Sequence, residues 1–186
     1  MRRLINSTYV SLDGVVTNPQ EWTFPFRNDS ANQFAFEQLM ASDALLMGRR
    51  TYEAFAQVWP TMKDEQGFAD KMNRMPKHVA SRTLRDPTWN ATVIQGSLAE
   101  AVDKLKQAPG NDILQYGYGA VTGTLMEHGL LDELRLWLHP ILVGRGQVDN
   151  LLIGPRAVAT MRLVDLKRYD SGLLILSYHP VSGRSG

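Results

Sequence analysis

The chain has 186 residues, 44% of them hydrophobic and 21% charged, with a formal net charge of +1 and no cysteine. That length suits one domain with a core that needs no disulfide or metal staple, and the near-neutral balance supplies no field for nucleic acid or an anionic membrane. Lack of cysteine rules out disulfides, thiolate metal sites and cysteine nucleophiles and suits a reducing, cytoplasmic setting, and no apolar run reaches the length of a bilayer span.

Residues 3–10 read as a first strand. The turn Ser11-Leu12-Asp13-Gly14 follows, then a long loop carrying Trp22, Phe24 and Phe26. Asp29 or Ser30 is placed to cap a first helix whose apolar face is Phe34, Phe36, Leu39 and Met40. Residues 44–47 make a second strand, and the helix over 51–58 stops at Pro60. A short helix within 61–74 leads to a third strand over 77–81, and 89–95 is a fourth. Ser97 opens a helix to 107, with Glu100 completing a capping box. A fifth strand over 113–116 and a helix over 120–128, closed by Gly129, come next. The sixth strand is 134–139, and 161–169 with 173–179 form a hairpin through Asp170-Ser171-Gly172.

The strand–helix rhythm up to residue 139 implies an α/β fold: a mainly parallel central sheet, helices on both faces, antiparallel strands added at the C-terminus. Residues 1–180 read as a single domain and 181–186 as a flexible tail.

Two junctions carry most of the chemistry. The apolar run 44–47 ends in Gly48-Arg49 before a helix, and the run 113–116 ends in Gly117-Tyr118-Gly119 before another. A helix start favours anions, because its first N–H groups are unpaired and its dipole is positive there. Two such starts in one domain suit a ligand with more than one phosphate, and a dinucleotide fits. Arg49 is either a surface residue on a tight turn or a fork for phosphate. Glycine at 117 and 119 either packs a helix on the sheet or lets backbone approach a ligand. On the second reading, a larger residue at 117 blocks the ligand and leaves the fold intact. Ser81-Arg82, just past the third strand, is either a polar strand end or a site for a ribose 2′-phosphate, which would select NADPH over NADH, with Lys77 and Arg85 as substitutes. Asp13 either closes its own turn or meets substrate as a proton source, the turn being the commoner role. The three loop aromatics are either ordinary core residues or, the better fit for a loop, a wall over a flat ligand. His78, His128, His139 and His179 sit on separate elements without metal-ligand spacing, so no metal site is expected.

This pattern resembles the dihydrofolate reductase fold, a three-layer arrangement. The strings His128-Gly129-Leu130-Leu131-Asp132-Glu133-Leu134-Arg135-Leu136 and His139-Pro140-Ile141-Leu142-Val143-Gly144-Arg145-Gly146 are similar to the reductase domain of bacterial riboflavin biosynthesis and its stand-alone relatives. The resemblance implies reduction of a small heterocycle by NADPH, as in 5-amino-6-(5-phosphoribosylamino)uracil reductase. Dihydrofolate reduction, or nucleotide binding without turnover, are its alternatives. It places Gly48, Arg49 and Thr51 at the cofactor pyrophosphate, and Ser81 and Arg82 at the adenosine ribose and 2′-phosphate. Gly117, Tyr118, Gly119 and Ala120 fall under the nicotinamide half, with Val10 and Val16 at its edge. Asp13, Trp22 and Asn32 fall on the substrate side. It also implies a homodimer, through the C-terminal hairpin and the strand 134–138. Two departures stand out. Asn32 occupies the place where dihydrofolate reductases proper carry a carboxylate, and Tyr118 stands where they carry glycine.

Overall fold

The computed structural model describes residues 1–144, 152 and 159–181. Residues 182–186 of the expected tail, and Arg145 and Gly146 of the second string, lie outside them. In chain order the elements are β1 (Leu4–Ser11), α1 (Asp29–Met40), β2 (Ser42–Gly48), α2 (Arg49–Val58), α3 (Phe68–Arg74), β3 (Lys77–Ala80), β4 (Ala91–Val93), α4 (Leu98–Gln107), β5 (Asp112–Tyr116), α5 (Ala120–Glu127), β6 (Glu133–His139), β7 (Met161–Arg168) and β8 (Leu174–Pro180). One sheet holds the strands in the order β4-β3-β2-β5-β1-β6-β8-β7. The first six are parallel. β8 runs antiparallel to both β6 and β7.

The central strands are apolar on both sides because both faces are covered. Ile5, Leu45, Met47 and Leu114 pack with Leu39 of α1, Tyr52 of α2 and Met72 of α3. Their neighbours Leu4, Ala44, Leu46 and Ile113 turn to the other face and meet Val102 of α4 and Leu125 of α5. No helix among the described residues is long and apolar enough to cross a membrane.

Three local expectations change. The cap of α1 is Asn28, whose side chain accepts from Ala31 N at 3.1 Å; its backbone is extended, as a cap requires, whereas Asp29 and Ser30 are already helical. β4 is only three residues long, because Trp89 and Asn90 hold left-handed conformations (φ 55° and 53°) and form the turn that leads into it. β6 lies between β1 and β8 and is not an edge. It has no free side to pair with a second copy, so the strand 134–138 is withdrawn as an edge contact.

Lys77, at the start of β3, is fully buried. Its Nζ donates to the carbonyl of Asn73 at the end of α3, at 2.8 Å, and lies 4.0 Å from the Trp89 ring centroid. It has no carboxylate partner among the described residues, and burial pushes its ammonium down to about 8. The fold thus disfavours the charged form, and the unfolded chain holds the extra proton between pH 8 and the ordinary lysine range. Stability attributable to this group is therefore expected to rise as pH rises through that window. Urea unfolding midpoints of the wild type and Lys77→Met should converge or diverge across it; parallel curves would contradict the assignment.

Candidate nucleotide site at the β2–β5 crevice

β2 and β5 are neighbours, and the chain leaves them in opposite directions. After β2 it runs through α2 and α3 to β3; after β5 it runs through α5 to β6, beyond β1. Such a reversal leaves a crevice outside the carboxyl ends of the two strands. Gly48 is the N-cap of α2 and Gly119 that of α5, and neither end has a side-chain cap. The first N–H groups of both helices are left for water or a ligand.

The two helix starts are in contact. A Cβ built on Gly48 would meet Val121, in the first turn of α5, at 3.5 Å, and one on Gly117 would collide with the Thr51 hydroxyl of α2. Gly117 also has φ +79°, a conformation that favours glycine. Its carbonyl accepts from Asn6 Nδ2 at 2.8 Å, and Asn6 Oδ1 in turn accepts from Thr8 Oγ1 at 2.8 Å. Beneath α5, Gln115 Nε2 donates to Thr122 Oγ1 at 2.9 Å. Buried polar residues on β1 and β5 thus fix the glycine turn from below, at positions that read as plain core in the sequence.

Arg49 is exposed at the start of α2. It pairs with Glu53 at 2.6 Å and donates to Thr83 Oγ1 at 2.5 Å, tying this helix to the stretch after β3. There Ser81 Oγ accepts from Thr83 N and Leu84 N at 3.2 and 3.0 Å. A cavity of about 710 Å³ opens beside it, lined by Ser81, Arg82, Arg85, Asp86, Ile94 and Gly96 among others. Arg82 is exposed, while Arg85 is turned onto the carbonyls of Arg82 and Leu84. Lys77 is buried at the opposite end of β3, which leaves Arg82, among the described residues, as the cation of this cavity with its charge unspent on backbone.

The substrate side rearranges more. Asp13 accepts from Ser11 Oγ at 2.5 Å and from Val143 N and Gly144 N at 3.1 and 2.7 Å. It ties the loop after β1 to the loop after β6. Those hydrogen bonds hold its carboxyl down at about 2, Ser11 contributing most. A group that low is ionised near neutral pH and is not a proton source, so the general-acid reading gives way to the loop tie. Trp22 is buried, donates to Thr17 O at 3.0 Å and meets His139 edge-on at 5.3 Å. Phe26 also contacts His139, whereas Phe24 is 65% exposed beneath Arg27. Trp22 and Phe26 plug the end of β6 over His139 while Phe24 stands apart, so the three do not make one wall. Val10 is buried, Val16 half-buried, and Asn32 exposed on α1. Tyr118 is half-buried against the α4–α5 core, and Ala120 is exposed at the start of α5.

Other side chains occupy the sheet face between α1 and α2. Tyr116, the last residue of β5, meets Phe55 of α2 at 5.6 Å. Tyr9 stands on the same face, 37% exposed and 5.3 Å from Trp137. The alternation of β1 and the position just before Gly117 are the signals that point to these two.

A model of the RibD C-terminal domain family matches residues 2–175. An uncharacterized protein of Bacillus subtilis (strain 168), YyaP, is 29% identical over 184 residues, covering 96% of this chain and 95% of its own. Among solved structures, a putative riboflavin biosynthesis protein from Shewanella sp. PV-4 is similar with a TM-score of 0.75 and 21% identity, over 97% of this chain and 99% of that one. A diaminohydroxyphosphoribosylaminopyrimidine deaminase/5-amino-6-(5-phosphoribosylamino)uracil reductase from Thermotoga maritima aligns with a TM-score of 0.65 and 14% identity. The alignment covers 97% of this chain and 57% of that longer one. These likenesses carry the fold, which is the dihydrofolate reductase-like one.

Proposed function

The chain belongs to the RibD C-terminal domain family, and on that premise we propose that it is an NADPH-dependent reductase of a small heterocycle of the riboflavin-pathway type. The observation that carries this reading is the contact of two uncapped helix starts at the β2–β5 crevice, Gly48 against Val121 and Thr51 against Gly117. Backbone N–H groups of both starts suit the two charges of a dinucleotide diphosphate. Gly48, Arg49, Thr51, Gly117, Gly119 and Ala120 would hold it, and Ser81 and Arg82 would take the adenosine 2′-phosphate beside the 710 Å³ cavity. The cofactor would supply the hydride when bound. The protein would fix the acceptor ring over the sheet face that carries Tyr9 and Tyr116. The same reading includes a homodimer through the C-terminal hairpin, at its edge strand β7, where Leu163 and Leu166 are 47% and 54% exposed.

Calorimetric titration of the wild type and Arg82→Ala with NADPH and NADH tests the cofactor. Loss of a charge-assisted hydrogen bond to the 2′-phosphate is expected to weaken NADPH by about 1.5–3 kcal/mol and to leave NADH nearly unchanged. Equal losses would move the 2′-phosphate elsewhere, and no heat with either coenzyme in the wild type would end the reductase reading. Turnover of 5-amino-6-(5-phosphoribosylamino)uracil with NADPH then tests the substrate.

A further inference from the structure

Asn6 is a fully buried amide in the middle of the sheet. Its register partners are Gln115 on β5 and Leu134 on β6. A buried carboxamide is costly unless its groups are paired, and both of its ends are. Nδ2 donates to the Gly117 carbonyl at 2.8 Å, and Oδ1 accepts from Thr8 Oγ1 at 2.8 Å. A carbonyl can only accept, which sets the N–H end of the carboxamide toward Gly117 and leaves the oxygen for the Thr8 hydroxyl. The side chain of β1 thus reaches past the end of β5 and holds the turn that follows it.

That bond fixes a peptide plane. No peptide bond among the described residues is cis, and in a planar trans peptide the carbonyl and the N–H that follows it point in opposite directions. The Gly117 carbonyl points to Asn6, on the β1 side of β5. The Tyr118 N–H therefore points away from β1, to the flank where β5 borders β2. That flank is the crevice: Gly117 lies against Thr51 of α2 there, and Gly48 caps α2 at the end of β2. Tyr118 N–H donates to no acceptor among the described residues. It is a donor just ahead of the α5 start, aimed by the sheet and not by the helix.

We infer that Asn6 is a positioning residue for the nucleotide: through the Gly117 carbonyl it turns the Tyr118 N–H into the β2–β5 crevice, as a donor to a diphosphate oxygen. Thr8 holds Asn6 in the orientation that this requires. The inference rests on the reductase reading for the presence of a dinucleotide. Glycine resists rotation of its peptide plane least of all residues, so the plane at Gly117 needs a side chain from elsewhere to set it.

The test titrates the full chain calorimetrically with NADP⁺ at pH 8 and at pH 5. Asn6→Asp keeps the size of the side chain but sets a carboxylate oxygen against the Gly117 carbonyl. At pH 8 it is expected to weaken NADP⁺ about 10- to 100-fold relative to the wild type, the range of one hydrogen bond to a charged group. Burial raises the pKa of the new carboxyl, so at pH 5 its O–H donates to Gly117 again and the loss should shrink to about 3-fold or less. Comparing the two proteins at each pH cancels the titration of the 2′-phosphate, which they share. A purely structural role would show this pH dependence in the urea midpoint and leave the affinity of the folded protein unchanged. Thr8→Val removes the O–H that holds the carboxamide and should weaken NADP⁺ about 2- to 5-fold at both pH values. In protein labelled with ¹⁵N-tyrosine, the Tyr118 amide proton should move downfield on NADP⁺ binding. Unchanged affinity in folded Asn6→Asp at pH 8, or in Thr8→Val where Asn6→Asp does not fold, would overturn the inference. So would a loss in Asn6→Asp that persists undiminished at pH 5, or a Tyr118 amide that bound NADP⁺ leaves in place. Failure of the wild type to bind NADP⁺ would instead overturn the reductase reading beneath it.

Discussion

Gly117→Ala is expected to abolish NADPH binding and to destabilise the fold by about 2–5 kcal/mol, from the left-handed backbone and the collision together. The backbone part follows from φ +79°. The steric part follows from the Thr51 hydroxyl, which stands where the new methyl group must go. The two parts are separable. Thr51→Ala in the same chain removes the hydroxyl and should recover the collision part in a urea midpoint, while the backbone part persists. Nucleotide affinity should stay lost in the double variant, because Thr51 is itself one of the proposed contacts. A double variant as unstable as Gly117→Ala would mean that α2 does not press on the turn after β5. The expectation that a larger residue at 117 spares the fold does not survive the contact with Thr51. This glycine serves the packing of two helix starts and the approach of a ligand at once.

The strand–helix rhythm, the glycine junctions and the Ser97 cap were legible because each is a local signal, set by residues within one turn of one another. What could not be read depends on pairing across the chain. Strand order put β6 inside the sheet, although nothing in residues 134–138 distinguishes an inner strand from an edge. Asp13 keeps one partner, Ser11, inside its own turn and finds two more at Val143 and Gly144, 130 and 131 residues away, and it is these last two that tie the loops together. Gln38 is illegible from periodicity, which weighs apolar side chains, because a glutamine on an apolar stripe reads as a break in the stripe. Its place there is explained once Ser7, Arg135 and Trp137 arrive from β1 and β6. An aromatic in a loop reads either as core or as a ligand wall, and for Trp22 the contact with His139, which decides for core packing, comes from the far end of β6. Burial holds the His139 imidazole down, and a neutral ring suits that packing.

Gly48→Ala separates binding from folding most sharply. Gly48 has φ −75° and ψ 163°, an extended conformation open to any residue. A methyl group there meets Val121 at 3.5 Å, an ordinary contact. Alanine is a slightly poorer N-cap than glycine, but it also restricts the unfolded chain, and the two effects oppose each other. Thermal stability is therefore expected to stay within about 0.5 kcal/mol of the wild type. The same methyl group stands between the starts of α2 and α5, where the diphosphate must approach both sets of N–H groups. NADPH affinity is expected to fall by about 100-fold or more, some 3 kcal/mol. NADH should lose as much, because the diphosphate is common to both coenzymes; that symmetry distinguishes this variant from Arg82→Ala. Unchanged affinity for both in a folded Gly48→Ala protein would take the diphosphate out of the β2–β5 crevice. The meeting of the two helix starts would then be a packing feature of the fold, and any nucleotide would have to be held from the Arg82 cavity alone.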